Sequence, residues 1–285
     1  MTALAPPFPY FGGKQRVADR IVALFPAHEH YVEPFAGGLS VLLAKRPSRM
    51  ETVSDKDQAL MTFWRVLRDR PDELIRACAL TPHARAEYEA ATRVYIETTP
   101  RTPEEELEAA RRVFTVFAQG RASKSSSSQW RMHVDPNGSS LGLPGYLRAY
   151  VDRMAALAER MQNVTLESLD ADTMLDRYSP HRDVLIYADP PYLRSSRNST
   201  GYRHELGSEA EHRALAERLH DAKASVVLSG YASPLYELLY DGWDRIEIAS
   251  GTAQGGVYGA RTEVVWSNRP ISSPDLLSQI EGAVA

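Results

Sequence analysis

The sequence has one cysteine, Cys78, in 285 residues. A single thiol cannot close an internal disulfide or build a cysteine-cluster metal site. It lies on an apparently helical stretch and reads as core. No apolar run reaches bilayer length, and no basic start precedes an apolar core, so the expectation is a cytoplasmic protein with no membrane partner. An excess of positive charge is also missing. The formal net charge of -4 argues against coating nucleic acid non-specifically, while leaving room for a local basic face. The dinucleotide fingerprint G-x-G-x-x-G and the Walker A Gly-Lys-Ser/Thr are absent, which disfavours a nicotinamide dehydrogenase and a phosphate-cradling loop. No cluster of metal-ligating residues stands out, and no metal is expected.

What is present is a soluble globular composition, 43% hydrophobic and 25% charged. The chain is organised around Val184-Leu185-Ile186-Tyr187-Ala188-Asp189-Pro190-Pro191-Tyr192. Its apolar, β-branched start suits a strand buried on both faces of a parallel sheet. Pro190 and Pro191 cannot donate ladder hydrogen bonds, so the strand must end there. Asp189 then stands at the carboxyl edge of the sheet, where open α/β sheets bind ligands. Carboxylate, rigid turn and the Tyr192 ring together could hold a flat, amino-bearing ring.

Upstream, Tyr10-Phe11-Gly12-Gly13-Lys14 joins two permissive glycines to a cation and leads into a helix expected over 15–25. His30 to Ser40, with Glu33-Pro34-Phe35-Ala36-Gly37-Gly38, reads as strand, Gly-rich turn and helix. Glycines here would let the backbone approach a cofactor at a helix N-terminus. Thr52 to Asp57 reads as a second strand ending in acids. Asp57 suits the cap of the helix that follows, which leaves Asp55 for ribose hydroxyls.

From 58 to 163 the pattern becomes helix after helix, including 84–96, 102–119 and one after Pro144, and reads as a helical insertion into an α/β domain. Thr102-Pro103-Glu104-Glu105 is an N-cap signature. Between these helices Arg121, Lys124, Trp130 and Arg131 interrupt a serine-rich, acid-free stretch suited to phosphates and base edges. Strand character returns at 164–170, 224–230, 243–249 and 263–268, with 250–261 as a connecting loop. Arg194 and Arg197 follow the Asp189 strand in a polar loop that could close over a substrate or touch a nucleic-acid backbone.

In this order, Tyr-Phe-Gly-Gly-Lys, Glu-Pro-Phe-Ala-Gly-Gly, Asp55 and Asp-Pro-Pro-Tyr resemble the Dam-like DNA adenine-N6 methyltransferases. Tyr10 departs from the tryptophan of the founding members. The resemblance implies a Rossmann-like methyltransferase sheet at 1–57 and 164–285 and a target-recognition domain at 58–163. It implies S-adenosylmethionine as cofactor, with Tyr10 and Lys14 at its methionine end, Asp55 at the ribose and Asp170 near the adenine. Glu33, Phe35, Gly37 and Asp189 would line the same site. Asp189, Pro190 and Tyr192 would be catalytic, the first two accepting from an adenine amino group and Tyr192 stacking on the base. Arg121, Lys124, Trp130, Arg131, Arg194 and Arg197 would contact double-stranded DNA. The expected protein is a site-specific enzyme, a monomer or weak dimer, with room for a restriction endonuclease partner. The alternatives are an enzyme acting on RNA adenine or another amino substrate, and a catalytically silent DNA-binding relative.

Overall fold

A computed structural model describes residues 4–94, 100–121, 129–132, 142–192, 208–254 and 257–271, without side chains at 250–261. Seven strands are β1 (His30–Glu33), β2 (Met50–Ser54), β3 (Thr165–Glu167), β4 (Val184–Ala188), β5 (Ser225–Gly230), β6 (Asp244–Gln254) and β7 (Val257–Ser267). They form one sheet in the order β3-β2-β1-β4-β5-β7-β6. The first five are parallel, and β7 runs antiparallel between β5 and β6. The expected α/β, Rossmann-like sheet is what the chain forms. The chain moves one way from β1 through β2 to β3 and the other way from β4 to β5. Between β1 and β4 lies the topological switch point, where such sheets open a crevice.

The parallel strands are apolar on both faces because helices cover both. All five residues of β4 are buried. Alternation of side chains splits its neighbours into two clusters. Tyr31, Leu185, Tyr187, Val227 and Val265 belong to one, and Val32, Ile186, Val226, Leu228, Val264 and Trp266 to the other. At about 1.5–3 kcal/mol per fully buried large apolar side chain, these strands cannot slip by one residue without exposing their core face.

On the first face lie α1 (Ala18–Val22) and α2 (Ser40–Ala44). The helical stretch follows as α3 (Gln58–Asp69), α4 (Pro71–Ala79), α5 (Arg85–Val94), α6 (Pro103–Gln119), α7 (Gly142–Val151) and α8 (Met154–Met161). In α3, Leu60, Phe63, Trp64 and Leu67 are fully buried at helical spacing. Asp57 caps it by accepting from the Ala59 and Leu60 amides, and Thr102 caps α6 by accepting from Glu105. One continuous apolar cluster joins this helical layer to the sheet. A buried ion triad adds to it: Glu51 of β2 takes Lys45 and Arg160, each at 2.5 Å. The second face is covered by α9 (Ala171–Tyr178), α10 (Glu209–His220) and α11 (Pro234–Leu239). No described helix is long and apolar enough to cross a membrane.

Three expectations change. The helix expected over 15–25 shortens to α1, because Lys14 to Val17 close an i to i+3 turn before it and Ile21 to Leu24 another after it. The helix expected after Pro144 breaks into α7 and α8 at Asp152–Arg153. The loop expected at 250–261 is instead strand at 250–254 and 257–261: pairing of β6 with β7 continues out to Gln254 opposite Val257.

Candidate active site

The carboxyl ends of β1, β2 and β4 surround a cavity of about 470 Å³. That is the size of a small-molecule site. Tyr10, Lys14, Glu33, Phe35, Gly37, Asp55, Asp170 and Asp189 all line it, so residues spread over 180 positions of sequence meet in one place. Pro191 lines it as well, whereas Pro190 and Tyr192 are buried beside it.

Asp189 follows β4 and is held from several sides. Lys14 Nζ donates to both its carboxylate oxygens at 2.7 Å. Ser229 of β5 donates to Oδ1 at 3.1 Å, and the Tyr187 hydroxyl lies 2.8 Å from the same serine. Lys14 is itself only 4% exposed and also donates to the Gly12 carbonyl at 2.9 Å. The cation expected to face the cofactor therefore binds the central acid of the site. Tyr192 is 5% exposed. Its hydroxyl donates to Glu263 of β7 at 2.8 Å and accepts from Lys14 at 2.5 Å, while its ring packs on Tyr231 at 4.4 Å. A ring held in this way is less accessible than the open stacking platform the sequence suggested.

Glu263 and Ser229 are the two residues of this cluster that the sequence reading missed. The available signal was Glu263 itself, an acid in a strand whose next three residues, Val264, Val265 and Trp266, are all buried. Burial raises the Glu263 carboxyl above its ordinary value, opposed by Lys14 and reinforced by Asp189.

Glu33 ends β1 and accepts from the Tyr31 hydroxyl at 2.8 Å. Burial pushes its carboxyl up to about 8, with the Tyr31 hydrogen bond opposing and the Asp189 charge adding. Asp55 is less free than expected. Its two oxygens accept from the Gly37 amide at 2.9 Å and the Asp57 amide at 2.8 Å. Burial still raises it to about 6. Asp170 is exposed at the rim and caps α9 by accepting from Thr173 at 2.8 Å, which lowers its carboxyl.

The Gly37-Gly38 turn proves to accommodate a side chain of the protein. Gly37 has φ +47, and a Cβ there would lie 2.7 Å from the Tyr10 ring; one on Gly38 would lie 2.9 Å from Tyr10 Cβ. The glycines thus admit Tyr10, which packs on Phe117 at 5.2 Å and forms one wall of the cavity.

Acidic side chains, Glu33, Asp55, Asp170 and Asp189 among them, converge here with the apolar surfaces of Tyr10, Phe35 and Leu215. That set of hydrogen-bond acceptors and apolar walls fits a ligand bearing an ammonium group, ribose hydroxyls and a flat ring. It fits an anionic phosphate poorly.

Of the residues expected at DNA, Lys124, Arg194 and Arg197 lie outside the described residues. Trp130 stacks on His83 at 4.6 Å with Arg85 over its ring at 4.8 Å. Arg121 and Arg131 flank a short bridge between Gly120 and Trp130, their amides donating to Gln129 and Gln119. This basic stem does not line the cavity.

The family model for the D12 class N6 adenine-specific DNA methyltransferase matches residues 10–132 and 147–253. Among curated proteins none matches the sequence. Solved structures with a similar course include precorrin 8W decarboxylase of Methanobacterium thermoautotrophicum (12% identity, 94% of this chain and 97% of that one, TM-score 0.38). The rRNA methyltransferase AviRa of Streptomyces viridochromogenes is 16% identical over 96% of this chain and 90% of that one, with a TM-score of 0.36. Likeness this distant says nothing of what the chain acts on.

Proposed function

Because the chain belongs to the D12 class N6 adenine-specific DNA methyltransferase family, we propose that it methylates adenine at a specific DNA site, on a base turned out of the duplex. Its cofactor is S-adenosylmethionine. The observation that supports the reading best is the place of Asp189: at the switch point of the sheet, lining the cavity with Glu33, Asp55 and Lys14.

Bound S-adenosylmethionine supplies an electrophilic methyl group. The residues present fit it: lining acids can accept from its ammonium and ribose hydroxyls, with Asp55 and Asp170 read as the partners of its hydroxyl and amino hydrogens, and Tyr10 and Phe35 supply apolar wall. An adenine amino group is a poor nucleophile because its lone pair is delocalised into the ring. The Asp189 carboxylate accepts one amino hydrogen and the Pro190 carbonyl the other. Two acceptors draw the nitrogen towards a tetrahedral form and localise its lone pair, an effect stronger in the transition state than in the ground state. Once the methyl has arrived, the amino proton passes along its hydrogen bond to the Asp189 carboxylate and from there to solvent, and S-adenosylhomocysteine leaves. Asp189 has 17% of its side chain exposed, so an incoming base can reach it.

Presenting the amino group to a cavity at the sheet edge requires the base to leave the helix stack. Helices 58–163 are read as the target-recognition insertion, and the Arg121, Trp130 and Arg131 stem as part of its DNA surface. Purified protein is incubated with radiolabelled S-adenosylmethionine and duplex DNA, and the DNA is digested to nucleosides. Label on N6-methyladenine is the expected result, and methylated positions mapped by single-molecule sequencing should share one short sequence. DNA without label would overturn the proposal, and methylation spread over all adenines would overturn its site-specific part.

A further inference from the structure

Asp189 has two competing claims on it. The proposed reaction needs its carboxylate as an acceptor for an amino hydrogen. The structure gives both its oxygens to Lys14 at 2.7 Å. A carboxylate whose charge is matched by an ammonium at contact distance is a weaker acceptor, so turnover requires that ion pair to loosen. Lys14 also meets the Gly12 carbonyl and the Tyr192 hydroxyl, but these are neutral, and a buried ammonium that gives up its anionic partner is costly unless another anion takes its place.

The structure holds a second anion in reach. Glu263 Oε1 lies 3.7 Å from Lys14 Nζ, on the far side of the Tyr192 hydroxyl, which bridges the two. The second ion pair is only 1.0 Å longer than the first, so a small swing of one flexible side chain exchanges them. Glu263 does not line the cavity and cannot touch the substrate there.

We infer that Glu263 is a positioning residue: it takes over Lys14 when Asp189 turns to the substrate amino group, and it anchors Tyr192 throughout. This rests on the methyltransferase reading above and deepens it. Burial and the nearby Asp189 raise the Glu263 carboxyl while Lys14 opposes them, so a Lys14 drawn closer favours the Glu263 carboxylate. When Lys14 swings across, Glu263 is the carboxylate that pairs with it, and the buried ammonium keeps an anionic partner throughout. The groups facing Glu263 among the described residues are Lys14 from the stretch before α1, Asp189 and Tyr187 at β4, and Tyr192 beyond it. Ile248, its partner on β6, is uncharged.

The test compares wild type with Glu263→Gln, which keeps the shape and still accepts from Tyr192 but cannot balance Lys14. Folding and affinity for S-adenosylhomocysteine should match wild type within about twofold, and KM for DNA should hold. The rate constant kcat should fall about a hundredfold, the order expected when a reacting group is misplaced by about an ångström. Wild type should lose rate as pH falls through the value at which Glu263 takes up its proton, and the variant should lack that limb. If Glu263→Gln does not fold, Tyr192→Phe removes the bridging hydroxyl and should lower kcat with KM unchanged. A structure with S-adenosylhomocysteine and target duplex should show Lys14 on Glu263. A variant with wild-type kcat and pH profile, or a complex with Lys14 still on Asp189, would overturn the inference. A wild type that methylates no DNA would instead overturn the functional reading, and the complex would still report the ion pair.

Discussion

Lys14 and Asp189, 175 residues apart in sequence, meet as a buried ion pair with the ammonium 2.7 Å from each carboxylate oxygen. Their meeting joins the Gly-Gly-Lys turn to the Asp-Pro-Pro-Tyr strand end, and it sets the charge of the cavity floor.

The first prediction concerns Asp189→Ala. It removes the acceptor proposed for the amino hydrogen but leaves Glu263 to hold Lys14. Methyl transfer should fall at least about 100- to 1,000-fold, the range seen when one preorganised polar group is removed from a reacting centre. Affinity for S-adenosylhomocysteine, measured by calorimetry, should change far less. Turnover near the wild-type rate would remove Asp189 from the mechanism.

Glu33 offers a second test through stability. Burial raises its folded-state carboxyl from 4.5 to about 8. The folded protein therefore holds a proton that the unfolded chain has lost in that window. The resulting stability is fully present below about pH 4.5 and is lost as pH rises through about 8. Within the window this one group contributes a fall of up to about 1.4 kcal/mol per pH unit. Urea midpoints of wild type and Glu33→Gln at pH 5, 6.5 and 8 should diverge, the variant losing less as pH rises. Parallel slopes would show that Glu33 titrates normally.

The third prediction turns on Gly37. Its φ of +47 and the 2.7 Å approach of a Cβ to the Tyr10 ring make Gly37→Ala costly twice over. Left-handed backbone costs a non-glycine residue about 1–2 kcal/mol, and the Tyr10 wall must also shift. Thermal melts should show the loss of stability, and S-adenosylhomocysteine should bind at least about tenfold more weakly. A variant with unchanged melting and affinity would mean that Tyr10 moves freely.

The parts of this fold that were legible in sequence are those fixed by local chemistry. Val184 to Ala188 is continuously apolar and must be buried; Asp57 and Thr102 precede helices and cap them. The meeting of Tyr10, Lys14, Asp55 and Asp189 was legible through the order of their motifs, since strand ends at a switch point converge. What escaped depends on partners distant in sequence. The stretch 250–261 is rich in glycine and reads as loop, yet each of its strands continues because the other pairs with it. Asp55 looked free because its captor, the Gly37 amide, comes from another turn. Glu263 reads as one polar position of a closing strand, and the packing of β7 between β5 and β6 buries it beside Lys14.

The last prediction addresses the stem formed by 119–121 and 129–131. Arg121 is exposed and Arg131 half-buried, on either side of the Gly120–Trp130 bridge, and His83 and Arg85 hold the Trp130 ring from α5 and the segment before it. The stem does not line the cavity, so its arginines are free to meet phosphates without entering the chemistry. Each phosphate neutralised releases counterions, and the slope of log affinity against log salt changes by about 0.9 per contact in duplex DNA. Arg121→Gln and Arg131→Gln should each flatten that slope by about one unit, and the double variant by about two, with affinity for S-adenosylhomocysteine intact. Trp130→Ala should weaken binding without a comparable change in slope, because it loosens the stem and removes no charge. Fluorescence anisotropy with a labelled duplex across a salt series separates the two effects. An unchanged slope in the double arginine variant would mean that the duplex lies on a different face, and the DNA surface would then have to be sought elsewhere on the helical layer.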